Sequence, residues 1–471
     1  MYKTNIVFII IDTLRKDYAK NLEQKLSKYG FVIYDNAIAP SPWTTPSHAS
    51  IFTGLYPAYH GAHETKTIKD YDVKLSAKHK HRLLSCIMRS LGYRTYLLSA
   101  NIHVTPYFGF HGFQSFYDTH KGERVEFLNL NDLLKLREIR LKFKSKYERF
   151  MAMLKYGYID LLFKYILEKY VPRIFRPHNK LWPLDKGARK TLKIFSKHIP
   201  WNERKPKFVF VNLMEVHEPY LLNENPEEIS RINYRTGKLN YNVVNAWKKQ
   251  YLKEVKYITK IVLELMDILE ARKMLEDSLV IITSDHGQLL GEHGRIRHGT
   301  FLYDELLRVP MLIRYPDNER FIKLEKASIE LCSADTSLKY ISLTNLYYFI
   351  INIIQGKIDA ATLKLFTDTV FAESYGIEIP YDPPTNPIEK ANIDSLEKHR
   401  IAIYHKEYKV VFNVDDGIIE DIISYERANK QAIDIIDKDV LNKILDKLNT
   451  FMKVASLVKS IKKVTYKSVF Q

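Results

Sequence analysis

Four apolar runs, each followed directly by polar side chains, divide the first two thirds of the chain. They lie at residues 5–11, 93–99, 207–214 and 279–283. Each run is rich in β-branched and aromatic residues and lacks the alternation of a half-exposed strand, which is typical of strands buried on both faces of a parallel sheet. Because segments with helical periodicity separate the runs, the pattern predicts a doubly wound, mostly parallel α/β sheet with helices on both faces.

The chain follows a different pattern from about residue 366. The predicted elements are strands at residues 370–373, 400–404 and 408–413, a turn at residues 415–417 and a helix at residues 439–453. Short strands beside an Asp-Asp-Gly turn are typical of antiparallel pairing, and the apolar positions of the helix fall on one face. We expect an α/β domain over residues 1–365 and a C-terminal subdomain over residues 366–471, with an antiparallel sheet and a helix.

Residues 125–180 predict a helical insertion in the larger domain, because helical periodicity is combined with many basic and aromatic side chains. Between residues 131 and 177 there are twelve Lys or Arg and five Asp or Glu, an excess of seven positive charges. Such a segment suits a lid or a basic surface lying on an anionic membrane. A solvated helical hairpin that covers one edge of the core is the alternative, and the sequence leaves both open.

Composition and charge narrow the class of protein. With 46% hydrophobic and 27% charged residues, the chain is typical of globular proteins. The net charge of +17 indicates an acidic partner or substrate, such as a phosphate or sulfate ester or an anionic membrane. Specific nucleic-acid binding is not expected, because the chain contains no recognised binding module.

Cysteine usage and the apolar segments bear on the compartment. Cys86 and Cys332 cannot build a disulfide framework, which favours a reducing environment. The first apolar run reaches Asp12 without a signal-peptide cleavage site, and the most apolar later stretch, residues 346–354, is too short to span a bilayer. We expect a cytoplasmic protein without a signal peptide or transmembrane helix. The sequence leaves open a peripheral attachment to the membrane and does not assign an oligomeric state.

Each of the four buried runs is followed by groups that can bind a metal ion or an anion. These groups are Asp12, the Asn101/His103 pair, the Glu215/His217 pair and the Asp285/His286 pair. Because the carboxyl ends of parallel strands meet at one edge of the sheet, we expect these side chains to lie close together. Carboxylate, imidazole and hydroxyl groups together suit a divalent cation, which lowers the pKa of a coordinated hydroxyl and stabilises charge on ester oxygens.

The stretch from Ser41 to Pro57 carries the candidate nucleophile. Pro46 suits the first position of a helix, which would place Thr44 or Thr45 at its N-cap. A hydroxyl at a helix N-terminus lies in a field that favours negative charge, as a nucleophile attacking an anionic ester requires. An ordinary capping threonine is the alternative interpretation.

These motifs resemble the sulfatase family of the alkaline phosphatase superfamily over most of the chain. The segment Thr44-Thr-Pro-Ser-His48, followed by Thr53-Gly54, is similar to the family signature Cys-x-Pro-Ser-Arg. The stretch from Thr283-Ser-Asp-His-Gly287 to Arg308-Val-Pro310 resembles the second family signature, and Glu215-Val-His217 resembles the Asp-Pro-His segment.

The resemblance implies roles for individual residues and leaves the number of metal ions open. The implied catalytic residues are Thr44, His48, His217 and His298, the substrate-binding residues are Asn101 and His103, and the metal ligands are Asp12, Thr44, Asp285 and His286. A second metal held by Glu215, His217 and His298 is the alternative to two histidines that bind ester oxygens. The expected cation is Ca, Mn or Zn, and the sequence does not distinguish between these three metals.

Departures from the family pattern bear on the chemistry. Thr44 cannot be converted to formylglycine as a Cys or Ser can, so no formylglycine is expected, and Thr13 stands where a second aspartate is usual. A threonine nucleophile resembles the phosphatase, phosphodiesterase and phosphoglycerol or phosphoethanolamine transferase members of the superfamily. We expect a hydrolase of sulfuric or phosphoric esters acting through a covalent Thr44 ester. The alternatives are a headgroup transferase at the membrane and a non-catalytic metal-binding protein.

Overall fold

The computed structural model describes most of the chain. The described residues are 4–120, 145–175, 185–221, 225–333, 340–358, 364–425 and 436–455, with a few positions between 132 and 143. The strands are β1 Asn5–Ile11, β2 Val32–Ile38, β3 Arg94–Ser99, β4 Ser115–Asp118, β5 Lys207–Leu213, β6 Ser278–Thr283, β7 Leu289–Leu290, β8 Ile296–Arg297, β9 Arg308–Arg314, β10 Ile341–Ser342, β11 Thr369–Ser374, β12 Arg400–His405, β13 Tyr408–Asn413 and β14 Ile418–Ser424. The α-helices are α1 Lys20–Leu26, α2 Thr44–Thr53, α3 Pro57–His60, α4 Leu84–Ser90, α5 Lys146–Lys155, α6 Ile159–Phe175, α7 Ala188–Lys197, α8 Pro226–Thr236, α9 Tyr241–Ala271, α10 Asp304–Leu307, α11 Glu319–Ser333, α12 Asn345–Ile354, α13 Pro387–Leu396 and α14 Lys438–Val454.

Eight strands form the main sheet, in the order β10-β2-β9-β6-β1-β5-β3-β4. Strand β1 pairs in parallel with β5 and β6, and β3 pairs in parallel with β5 and β4. Strand β9 runs antiparallel to both of its neighbours, β2 and β6. The predicted mostly parallel α/β sheet is therefore confirmed, and the carboxyl ends of its central strands meet at one edge.

The central strand β1 is buried on both faces. Ile6, Phe8 and Ile10 belong to one hydrophobic cluster, and the alternate residues of the strand belong to another. All of these side chains have no exposed surface, and burying each aliphatic one contributes about 1.5–3 kcal/mol. A continuous apolar run at this position is therefore explained by two layers of helices, one on each face of the sheet.

The C-terminal sheet is separate and antiparallel, in the order β11-β12-β13-β14. Ile444, Leu448 and Phe451 of α14 pack against this sheet in one cluster with Ile403 and Val410. The predicted antiparallel sheet with a helix is confirmed, whereas the boundary at residue 365 stays a prediction.

The described part of the insertion is helical, in α5 and α6. A small cluster of its own, made of Leu136, Ile139, Met153, Leu161 and Leu162, holds these helices together. Within the described ranges, no helix combines the length and the apolar character needed to cross a bilayer.

Two local predictions are wrong. Helix α2 begins at Thr44 with Trp43 as its N-cap, at φ −153° and ψ 168°, so neither threonine is the cap and Pro46 is the third helical residue. Proline is tolerated there because the first N–H groups of a helix have no intrahelical partner. The sequence of residues 78–91 also predicts one helix that ends at Gly92, whereas the structure has a 3₁₀ turn, Ala77–Arg82, followed by α4.

Candidate active site

The acidic strand ends come together as the topology predicts. Asp12 follows β1, Asp285 and His286 follow β6, and ligand atoms of these three buried residues lie within 4.8 Å of one another. His286 Nε2 lies 3.4 Å from Asp285 Oδ2 and 3.9 Å from Asp12 Oδ1. Thr44, at the start of α2, places its Oγ1 3.3 Å from the same Nε2.

The hydrogen bonds of this group leave its inner atoms without protein partners. His286 Nδ1 donates to the carbonyl oxygen of Gly287 at 2.9 Å, so the lone pair of Nε2 faces the carboxylates. Asp12 Oδ1 and Asp285 Oδ2 are buried and accept no hydrogen bond from the described residues. Buried acceptors without a donor are costly, and a cation between them removes that cost.

The charges of the two aspartates lead to the same conclusion. Burial, and next the neighbouring Asp285, raise the pKa of Asp12 to about 7, and burial raises the pKa of Asp285 to about 7. Two carboxylates, an imidazole and a hydroxyl form a donor set that suits a divalent cation. The residues at this edge therefore fit a divalent metal ion.

Two residues orient the aspartates. Asn101 Nδ2 donates to Asp12 Oδ2 at 2.7 Å, so this predicted substrate contact also holds a predicted metal ligand. Thr13 has a left-handed φ of 61°, which is strained for a β-branched residue. This conformation directs its backbone N–H to Asp285 Oδ1, at 3.4 Å. Tyr251, which the sequence did not single out, donates to the carbonyl oxygen of Thr13 at 2.7 Å and fixes the turn.

His48 contacts the backbone of Thr44 and is not among the residues that line the cavity. Its Nδ1 donates to the carbonyl oxygen of Thr44 at 3.0 Å, and its Nε2 accepts from Asn212 Nδ2 at 3.1 Å. Burial lowers the pKa of His48 to about 3, so the ring is neutral. The catalytic role of His48 stays a prediction, and the contact that the structure shows is with the backbone of Thr44, one helical turn earlier.

Three imidazoles form a row that leads away from the acidic pair. The ring centroids of His286 and His298 are 4.6 Å apart, and those of His298 and His217 are 4.9 Å apart. His217 Nδ1 donates to the carbonyl oxygen of Glu218 at 2.6 Å, and His298 Nδ1 donates to Gln288 Oε1 at 2.7 Å. In both rings the Nε2 atom therefore remains available for a ligand.

Glu218 supports the two histidines. Its Oε1 accepts from Arg297 Nε at 2.5 Å and its Oε2 accepts from Gln288 Nε2 at 2.7 Å. Burial by itself raises the pKa of Glu218. The pKa nevertheless lies well below its usual range because of the neighbouring His217, Arg297 and His298. His217, Glu218 and His298 lie close enough to share a metal ion, but both oxygens of Glu218 are already engaged. Glu218 therefore fixes the two imidazoles, and their Nε2 atoms are left for a ligand.

Glu215, the predicted partner of these histidines, lies elsewhere. Its Oε1 accepts from the backbone N–H groups of Lys186 and Ala188, at 3.2 and 2.7 Å. Ala188 is the first residue of α7, and a helix N-terminus favours a carboxylate. The structure therefore does not bring Glu215 to His217 and His298, and Glu218, three residues later, lies beside them.

A cavity of about 260 Å³ lies beside Thr44 and the histidines His217 and His298. The predicted residues that line it are Thr44, Asn101, His103, His217 and His298. Asp12, Asp285 and His286 do not line the cavity, and neither does Thr45. The cavity therefore presents one hydroxyl of the threonine pair, together with imidazole groups, to a small ligand.

Arg297 and Glu378 add a polar pair to the cavity wall that the sequence did not reveal. Arg297 Nη1 lies 3.6 Å from Glu378 Oε1, and neither atom is hydrogen bonded within the described part of the chain. Gly299, with a φ of 108°, lets the Glu378 side chain approach where a Cβ would collide with it. A donor and an acceptor side by side can hold a hydroxyl group of the alcohol part of an ester.

Two characterised proteins share segments of this sequence. The chain is 39% identical over 113 residues to the low-salt glycan biosynthesis sulfotransferase Agl7 of Haloferax volcanii, covering 22% of this chain and 26% of that protein. It is 36% identical over 88 residues to an N-acetylglucosamine-6-O-sulfatase of Bacteroides thetaiotaomicron, covering 18% of this chain and 16% of that protein. The matched segments therefore span about a quarter or less of these relatives' own lengths.

A solved structure shares the fold over nearly the whole chain. The phosphonate monoester hydrolase of Silicibacter pomeroyi superimposes with a TM-score of 0.58 and 15% identity, covering 97% of this chain and 96% of that one. A family model described as Sulfatase matches residues 4–351, which is well over half of the chain. On the strength of that match, the chain belongs to the sulfatase family, a family of ester hydrolases.

Proposed function

We propose that the protein hydrolyses a sulfuric or phosphoric ester through a covalent ester on Thr44. The position of the Thr44 hydroxyl carries the proposal, because it lies 3.3 Å from His286 Nε2 and lines the cavity. Asp12, Thr44, Asp285 and His286 would hold a divalent cation. When bound, such an ion lowers the pKa of a hydroxyl and stabilises negative charge on an ester.

The residues of the chain support a two-step reaction. Thr44 gives its hydroxyl proton to solvent, and its Oγ1 bonds to the sulfur or phosphorus while the bond from that atom to the leaving oxygen breaks. His217 reacts as the imidazolium, which carries a proton on each ring nitrogen, and donates the Nε2 proton to the leaving alcohol. His298, neutral because burial lowers its pKa, offers its Nε2 lone pair as an acceptor to the alcohol part of the ester. A water molecule then cleaves the Thr44 ester, returning one proton to His217 and one to Thr44, so that the acid is released.

Supporting groups keep the nucleophile in place. His48 donates to the carbonyl oxygen of Thr44, and Asn212 in turn donates to His48. The first turn of α2 is therefore fixed before the substrate arrives. Gln288 and Glu218 fix the tautomers of the two cavity histidines. Such prior positioning accounts for a large part of the rate enhancement in acyl and phosphoryl transfer.

Substitution of the nucleophile tests the proposal. Thr44→Ala, Thr44→Ser and the matched control Thr45→Ala are assayed on an aryl sulfate, a phosphate monoester and a phosphate diester, each with added divalent cation. We expect Thr44→Ala to lose at least about 1,000-fold in kcat, as removal of a nucleophile does. Thr44→Ser and Thr45→Ala retain most activity. Full activity of Thr44→Ala would place the nucleophile elsewhere.

Transfer to an acceptor alcohol is a second candidate function, because an alcohol can replace water in the second step. Product analysis with glycerol or a sugar present separates the two, since a transferase forms a new ester and a hydrolase releases the free acid. The mass of the peptide that contains residue 44, from a proteolytic digest, tests the state of that residue, because unmodified threonine is expected in place of formylglycine. No turnover of any ester with metal bound would favour the non-catalytic alternative. The cytoplasmic location remains a prediction.

A further inference from the structure

The helical insertion carries an apolar surface on its outside as well as on its inside. In α5 the exposed large side chains are Tyr147, Phe150, Met151 and Leu154. Their spacing of three and four residues places them on one face of the helix. Ala152 and Met153 of the same helix are buried. Helix α5 therefore has an inner apolar face and, separately, an outer apolar stripe.

Helix α6 repeats this arrangement. Ile159, Phe163 and Ile166 are exposed and again share one face, while Leu161 and Leu162 are buried in the cluster that holds the insertion together. Tyr147, Ile159 and Phe163 are 73%, 65% and 60% exposed. Contiguous exposed apolar side chains of this size mark an interaction surface rather than ordinary solvated surface.

Two tyrosines lie between the two stripes along the chain. Tyr156 and Tyr158 lie in the turn between the helices and are also exposed. Tyrosine is enriched where protein meets the headgroup layer of a membrane, because its ring is apolar and its hydroxyl is polar. We name the two stripes and these tyrosines the outer face of the insertion.

The charge of the insertion selects among partners. In the sequence, residues 131–177 have an excess of seven positive charges. Of the described lysines, Lys142 is exposed shortly before α5 and Lys155 is exposed at its last position. A basic amphipathic surface with aromatic side chains binds a bilayer by burying its apolar side chains at the headgroup boundary while its cations attract anionic lipids. A second copy of the chain would also have a net charge of +17, so its approach costs electrostatic energy.

We propose that the outer face of the insertion docks the protein on an anionic lipid surface. Tyr147, Phe150, Ile159 and Phe163 enter the interface between headgroups and acyl chains. The lysines of the insertion contact acidic headgroups. This surface is independent of the ester-cleaving site, and neither Thr44 nor the metal ligands take part in it.

Vesicle flotation with the full-length protein tests the proposal. The vesicles contain phosphatidylcholine alone or with phosphatidylserine. The apolar variant combines Tyr147→Ser, Phe150→Ser and Phe163→Ser, and the matched control combines Tyr241→Ser and Ile388→Ser, two side chains that are 70% and 73% exposed elsewhere. We expect wild type and control to bind the acidic vesicles, and the apolar variant to bind at least about 10-fold more weakly.

A charge variant and a folding control complete the test. Lys142→Glu with Lys155→Glu is expected to weaken binding at low salt and to matter less at high salt. The melting temperature of the apolar variant is expected to match that of wild type, because the three side chains lie outside the core. Equal binding of wild type to neutral and acidic vesicles would overturn the proposal, as would no binding. Concentration-dependent dimerisation that the apolar variant abolishes, without vesicle binding, would assign the face to a second copy instead.

Discussion

Removal of divalent metal should make the stability of this protein fall as the pH rises. Asp12 and Asp285 are buried, and the pKa of each is raised from 3.8 to about 7, by burial first and, for Asp12, next by its neighbour. The unfolded chain ionises these groups near pH 4, whereas the metal-free folded chain keeps them protonated to about pH 7. Their contribution is thus fully present below pH 4 and is lost as the pH rises through 7.

The size of the effect follows from the same values. Between pH 5 and pH 7, one carboxyl that is ionised only in the unfolded state costs about 1.4 kcal/mol per pH unit, or about 3 kcal/mol. The ionised form of one aspartate repels the ionised form of the other. Ionisation of the second carboxyl therefore adds to this free-energy cost. An unfolding entropy of about 2.1 cal/mol/K per residue converts about 3 kcal/mol into about 3 °C for a chain of 471 residues.

The assay is thermal unfolding from pH 5 to pH 8, with chelator and with added divalent cation. We expect the melting temperature of the chelated protein to fall by about 3 °C or more across this range, and the cation to raise it most at pH 8. Asp285→Asn should flatten the pH dependence and weaken the cation effect, whereas the exposed control Asp394→Asn should change neither. A melting temperature of the chelated protein that does not change with pH would refute the reasoning.

The remaining predictions concern the groups that position the reacting atoms. Asn212→Ala should lower kcat about 10-fold with little change in KM, because His48 then loses the donor that holds it against the Thr44 carbonyl; the reasoning fails if KM rises instead. Gln288→Ala should lower kcat/KM about 10–100-fold, since it releases both His298 and Glu218, and Gln288→Glu should not restore it because a carboxylate cannot donate to Glu218. An unchanged pH–rate profile in Gln288→Ala would show that the tautomer of His298 is unimportant.

The pattern of apolar runs was sufficient to predict the sheet and the meeting of Asp12 with Asp285. The reason is general, because buried parallel strands present their carboxyl ends at one edge, so residues directly after them share that edge. Asp12, Asp285 and His286 follow their strands within one to three residues, and the chain has no room to direct them elsewhere. The C-terminal sheet was predicted for a similar reason, since its pairing is local along the chain.

Predictions failed where a side chain's direction depends on a turn or on a neighbouring helix. Glu215 comes two residues after β5, as Asp285 comes two residues after β6, but it turns to the N-terminus of α7, a partner far from it in the sequence. His48 has a spacing of four residues from Thr44, which could have indicated a contact with the backbone of the preceding turn. Nothing in the sequence indicated Gln288, Asn212 or Tyr251.

The sequence by itself determined which strands are buried, which acidic residues end them and that a threonine stands where the family has Cys or Ser. These features depend on local pattern and on the shared direction of parallel strands. Only the tertiary structure decided that Thr44 rather than Thr45 faces the cavity, that Glu218 supports the two histidines and that the insertion has an outer apolar face. The first two depend on contacts between segments distant in the chain, and such contacts leave no periodic signal in the sequence. The apolar stripes of the insertion are periodic, but packing decides which of them is buried and which is exposed.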